Sequence, residues 1–278
     1  MDEEKESASI LELPKGFLSQ ALSLNSPRDA CRAAAISYEF KSAADSNAVW
    51  ERLLPPDYFQ VIGRAVSPVV FGSRKQLYLC LSDSHILLDR GYLSFKLDKS
   101  SGKKCFMLGA RELSITWQHD TSYWEWQSIP ESRFPELCIL RKLCWLEIRG
   151  KIAAVMLSQN TAYAAYLVFR IARDSRGLAV LAKIIVSFGG IETETTNVFL
   201  QKRGARGILW HFPLQNNDGF PRKRRDGWIE IELGEFYCDE RRDGEVEMAF
   251  EEIRHGNWKN GLVVEGIELR PKLVTTQE

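Results

Sequence analysis

The sequence predicts an α+β chain of two unlike parts, a small helical bundle near the N-terminus followed by an antiparallel β-sandwich. Three observations predict it. Apolar residues recur at helical spacing as far as a double proline, Pro55 and Pro56; after Cys105 the spacing changes to alternation; and no regular strand–helix–strand rhythm links the later runs. A length of 278 residues, 45% of them hydrophobic and 27% charged, suits a folded chain of two domains with a core each.

Residues 1–10 are polar and acidic and are expected to form a disordered tail. From Pro14 to Leu24 the residues Phe17, Leu18, Ala21 and Leu22 predict a short amphipathic helix, with Pro14 at a position that the first turn tolerates. Ser26, Pro27 and Asp29 then supply an N-cap, a first-turn proline and an acid that complements the helix dipole. Cys31, Ala34, Ala35 and Tyr38 line one stripe of this second helix. A third, carrying Ala48, Val49, Trp50, Leu53 and Leu54, ends at the double proline. Three short helices within residues 11–56 bury little surface, so the bundle is expected to lean on a partner or on the rest of the chain.

Residues 57–104 read as a connecting region with a few helices or short strands. The apolar runs Gln76–Leu81 and His85–Leu88 alternate there with turn-like segments at Gly72–Ser73 and Ser100–Gly102. From residue 105 strand signals dominate. Ile229, Ile231 and Leu233 alternate with glutamates, as do Val246, Met248 and Phe250, while Trp145–Arg149 and Tyr163–Arg170 are rich in strand formers. Turn chemistry separates these runs, which predicts a sandwich over 105–272 and a tail at 273–278.

Thirty-seven basic side chains balance thirty-seven acidic ones, so no global field draws the chain to nucleic acid or to an anionic membrane. The acidic start has neither a basic nor an apolar signal region, so a cytosolic chain is expected. Leu178–Phe188, the longest apolar stretch, is interrupted by Lys183 and falls short of the ~20 residues that cross a bilayer. Cys31, Cys80, Cys105, Cys138, Cys144 and Cys238 form no Cys-x-x-Cys pair. Reduced thiols are expected, with no zinc, other metal or organic cofactor. The run Arg222-Lys223-Arg224-Arg225 offers nuclear import as a second localisation, although most short basic runs are solvated loops.

Leu13-Pro14, the helix start from Ser26 to Arg32, Ser37, Phe40 and Trp50 resemble an F-box. GARELSITW at 109–117, YWEW at 123–126, WLEIRGKI at 145–152, YLVF at 166–169, RDGWIEIELGEFY at 225–237, DGEVEM at 243–248 and WKNGLVVEGIELRP at 258–271 resemble the phloem protein 2, or Nictaba-type, lectin family of plants. The resemblance implies a helical F-box joined to a jelly-roll-like lectin sandwich. The F-box would dock on a Skp-type adaptor of a cullin-based ubiquitin ligase through Leu13, Pro14, Leu18, Leu22, Ile36 and Trp50, and the sandwich would select a glycan or glycoprotein target. It further implies Trp117 and Trp124 as carbohydrate-binding rings and Glu245 and Glu252 as hydroxyl acceptors.

The physics of such a site is an aromatic platform for the C–H face of a sugar, ringed by polar groups for its hydroxyls. Parity leaves another role open, because Leu113, Ile115 and Trp117 share one strand face and could all enter the core. Glu245 and Glu247 share a face too, but nothing in the pattern holds one protonated and the other ionised as glycoside hydrolysis requires. The histidines His85, His119, His211 and His255 have no nucleophile motif. A non-catalytic ligase receptor is therefore expected. The alternatives are a receptor whose sandwich grips a protein without reading sugar, or a stress-related lectin with a vestigial F-box.

Overall fold

The computed structural model describes residues 14–192, 196–200, 220–239, 244–253 and 256–272. Leu13, His211 and His255 lie outside them. The described residues divide into two compact units. The first runs as far as Ile86 and takes in Lys96–Lys104; the second comprises Leu87–Phe95 and the chain from Cys105 on.

The first unit contains α1 (Lys15–Ser23), α2 (Pro27–Ala33), α3 (Tyr38–Ala44), α4 (Asn47–Leu53), α5 (Tyr58–Gly63) and α6 (Arg74–Asp83). Ser26 caps α2 as its sequence indicates, its hydroxyl accepting from Asp29 N at 3.1 Å. The predicted stripe from Cys31 to Tyr38 is not one helix, because the Ser37 hydroxyl accepts from Phe40 N and starts a new one, α3. Leu18, Leu22, Val49, Trp50, Tyr58, Leu77 and Tyr78 fill the interior. Trp50 Nε1 donates to Ala44 O at 2.6 Å, and its ring lies 5.0 Å from that of Tyr78. The stretch read as a connection thus contributes α5, α6 and a hairpin tip to this unit. Tyr78 Oη donates to Asp98 O, and a mostly buried Lys104 pairs with Asp57 at 2.9 Å.

The strands in chain order are β1 (Ile86–Leu88), β2 (Leu93–Leu97), β3 (Lys104–Gly109), β4 (Ser114–Ile115), β5 (Trp124–Gln127), β6 (Leu137–Leu140), β7 (Leu146–Ala153), β8 (Thr161–Arg176), β9 (Leu181–Phe188), β10 (Ile191–Glu192), β11 (Thr196–Phe199), β12 (Arg222–Lys223), β13 (Ile229–Cys238), β14 (Glu245–Glu252) and β15 (Asn260–Pro271). They form two sheets. One is ordered β1-β2-β3-β15-β8-β13-β12, with β6 also on β15 and β5 on β6; the other is ordered β10-β9-β14-β7-β4, with β11 on β9. From β3 onward the ladders are antiparallel, so the predicted helical part and antiparallel sandwich are both present.

The sheets meet through Phe236 of β13, which stacks on Tyr163 of β8 and meets Phe188 of β9 edge-on at 6.0 Å. They approach closely at Gly150, where a Cβ would stand 3.1 Å from Ile267 Cδ1 and Leu108 Cδ1, so a side chain there would push the layers apart. Strand β8 lacks alternation because its second face is covered as well, Val168 packing with Phe134, Leu137, Trp228 and Val263.

Beside that cluster the same outer face carries a buried ionic network. Glu268 binds Arg133 (3.1 Å), Arg224 (2.5 Å) and Arg270 (3.1 Å), and Glu230 binds Arg224 and Arg270. Burial pushes the Glu268 carboxyl up, but the three guanidiniums outweigh it and hold it at about 2. The basic run is therefore no free loop. Arg222 and Lys223 are paired in β12, and Arg224 is a mostly buried member of the network.

Candidate functional site

Strand β4 ends at Ile115, two residues before the next odd-numbered side chain would point inward. Leu113 and Ile115 are buried, but Trp117 has φ +58 and is 61% exposed. Left-handed backbone at a bulky residue costs about 1–3 kcal/mol, so the surroundings must hold it. Two indoles do so. Trp124 Nε1 donates to Thr116 O (2.8 Å) and Trp126 Nε1 to Gln118 O (3.1 Å), clamping the carbonyls on either side of Trp117. Trp126 is itself pinned under the Arg111 guanidinium, 3.6 Å from its ring centroid, and Arg111 pairs with Glu136 at 2.9 Å. The Trp117 ring leans toward Tyr123 (6.4 Å between centroids) beside an open cleft of about 690 Å³ lined by Ser114, Gln118, His119 and Asp120. An exposed, fixed ring next to hydroxyl, amide and carboxylate groups is chemistry suited to a sugar.

The other three sugar-binding candidates occupy different places. Trp124 is 1% exposed and presents no face to solvent; its part in the cleft is the clamp. Glu245 is exposed at the start of β14, 3.8 Å from Lys151. Glu252, at the end of that strand, is buried and ion-paired with an equally buried Lys259. Register puts Glu252 opposite Leu146 and Glu245 opposite Ala153, so roughly 23 Å of strand separates the two acids, and only Glu252 lies at the Trp117 end. Its carboxylate is spent on Lys259, which follows from burial that alternation alone could not show. Glu247 shares Lys151 with Glu245, and both side chains reach water, Glu245 exposed and Glu247 half-buried, so no deep burial sets them apart as a proton donor and an anion. Sequence reasoning missed the role of Trp126; the YWEW motif held the signal, since residues 124 and 126 share a parity.

The adaptor candidates divide as well. Leu18, Leu22 and Trp50 form the core of the helical unit, whereas Pro14 and Ile36 are exposed. Phe17, Leu24 and Tyr38, not singled out from the sequence for this surface, are exposed on the same unit.

The family profile described as phloem protein 2 matches residues 103–271. The chain belongs to the phloem protein 2 family. It is 44% identical over 268 residues to putative F-box protein PP2-B12 of Arabidopsis thaliana, covering 95% of this chain and 98% of that one. To F-box protein At2g02240 of the same plant it is 43% identical over 259 residues, 93% and 79% of the two chains. These relatives, which match along nearly the whole chain, make it a plant F-box protein of the phloem protein 2 type, the resemblance read from its motifs. Among the described residues no helix is long and apolar enough to cross a membrane.

Proposed function

We propose that this F-box phloem protein 2 chain is the non-catalytic substrate receptor of a cullin-based ubiquitin ligase. The helical unit docks on a Skp-type adaptor, and the sandwich binds a glycan or glycoprotein, with Trp117 as the stacking ring and Trp124 as the residue that holds it. The protein acts in the cytoplasm, and ubiquitin transfer belongs to its partners. The observation that carries the sugar half is the exposed Trp117 ring, fixed in left-handed backbone by the indoles of Trp124 and Trp126. The adaptor half is supported by the F-box names of the relatives and by Pro14, Phe17, Ile36 and Tyr38, apolar or largely apolar side chains left in water by a small unit.

The test is co-purification with a Skp-type adaptor followed by a glycan array. Pro14→Ser with Ile36→Asp is expected to abolish adaptor capture without unfolding the chain, and Trp117→Ala to abolish glycan binding. Adaptor capture unchanged in the first variant, or glycan binding unchanged in the second, would reject that half of the proposal.

A further inference from the structure

The end of the sandwich that presents Trp117 carries two more water-facing indoles. Trp145, 58% exposed, precedes β7, and Trp258, 61% exposed, stands just before β15. Hydrogen bonds make the three chain segments neighbours. Ile115 pairs with Ile148 and Thr116 N donates to Glu147 O, which runs the backbone of Trp117 beside the start of β7. Leu143 and Lys259 exchange both backbone bonds, at 3.0 and 2.8 Å, which sets the approach to Trp145 against that to Trp258. Hydrogen-bonded segments lie roughly 5 Å apart, so the three indoles share one end of the sandwich.

The backbone beneath them is braced. Lys259 Nζ donates to Cys144 O (2.6 Å) and to Asn257 O (2.8 Å), the carbonyls immediately before Trp145 and Trp258. Glu252 neutralises that ammonium, and both side chains are 1% exposed. A buried ion pair thus fixes the peptides from which two exposed indoles project. Large aromatic rings kept in water on braced backbone have no packing role to explain them.

We propose that Trp145 and Trp258 extend the Trp117 site into a platform of several rings for a neutral oligosaccharide, each indole stacking on a different sugar unit, with Glu252 and Lys259 as positioning residues. This rests on the glycan-binding reading above. Separate rings with Gln118, His119, Asp120 and Asn257 near them suit a chain of repeating units that offers apolar faces and hydroxyl edges in turn. A protein partner would instead favour a contiguous apolar patch with a desolvated centre.

The test applies the full chain to an array of neutral gluco-, manno- and galacto-oligosaccharides of graded length, monosaccharides upward, with affinities of the bound members measured by calorimetry. Affinity is expected to rise with length. Trp117→Ala should weaken every length, whereas Trp145→Ala and Trp258→Ala should each weaken the longer members about three- to tenfold, leave the shortest unchanged, and regain part of the loss with Phe. Circular dichroism checks that these surface variants stay folded. If both variants match the wild type at every length while Trp117→Ala does not, the platform is overturned and the glycan reading stands. No binding by the wild-type chain at any length overturns both, and loss of self-association in place of sugar binding assigns the indoles to contacts between copies and overturns the platform.

Discussion

The outer faces of the two sheets carry the same residue types with different consequences. On the six-stranded sheet Lys151 pairs with Glu247 at 2.6 Å, both side chains in contact with water. On the larger sheet Glu268 is enclosed by Arg133, Arg224 and Arg270, with its side chain 4% exposed. A solvated pair exchanges one good environment for another and contributes little; a buried pair holds charges that have lost their water, so removing one partner strands the other. Burial, which the residue types do not reveal, decides which acids are structural. Glu252 belongs to the smaller sheet by position and to the second class by environment.

The largest effect is therefore expected at Glu252→Gln, which leaves the Lys259 ammonium buried without a counter-charge and should cost about 3–5 kcal/mol in urea unfolding. Adding Lys259→Met should return most of that loss. Equal stability of the single variant and the wild type would show that Glu252 is one more solvated acid.

Glu268 sharpens the comparison through pH. Its carboxyl sits at about 2 against an ordinary 4.5, a depressed value, so its contribution is complete above about pH 4.5 and is lost as pH falls from there toward 2. The difference amounts to about 3 kcal/mol. Glu265 works in the opposite direction. Burial raises its carboxyl, although Arg133 N donates to it at 3.0 Å, so the folded chain takes up this proton first and gains stability as pH falls toward 4.5. Chemical denaturation across pH 2–7 should show Glu268→Gln with a shallower acid loss and Glu265→Gln with a smaller rise above it. Identical profiles for the two variants would contradict the assignment.

Next comes the clamp on Trp117. Trp124→Phe keeps most of the buried ring but leaves Thr116 O without its donor, an expected loss of about 1–3 kcal/mol. Trp117→Ala, at an exposed position, should change thermal stability far less. If Trp117→Ala proves the more destabilising of the two, the ring belongs to the core and not to the cleft.

Much of the fold was legible because its signals are local. Ser26 and Pro27 start a helix wherever they are placed, and Ile229–Leu233 or Glu245–Phe250 alternate because one face meets a core. Ser37 is an equally local cap signal, and the apolar stripe from Cys31 to Tyr38 runs across it from one helix into the next. The site was legible only in its residue types. Parity sends Trp117 inward with Ile115, and one left-handed residue, held by indoles seven and nine positions later, reverses it. Glu252 closes β14 and Lys259 stands just before β15, and nothing in either strand pattern announces the pair. The exposure of Trp145 and Trp258 likewise follows from where β7 and β15 begin, a tertiary fact.

The smallest effect tests the other side of the comparison. Lys151 lies in register with Glu247 and reaches Glu245 as well, the arrangement that would look most stabilising in a count of ion pairs. Its ammonium is in water before and after pairing, so both states are well solvated, and holding a long flexible side chain in one geometry offsets the Coulomb gain. Lys151→Met should leave the thermal midpoint unchanged within error at low and at high salt. A clear drop that disappears in salt would mean that the face of β7 and β14 is drier than its exposure indicates, and that the contrast between the two sheets is one of degree.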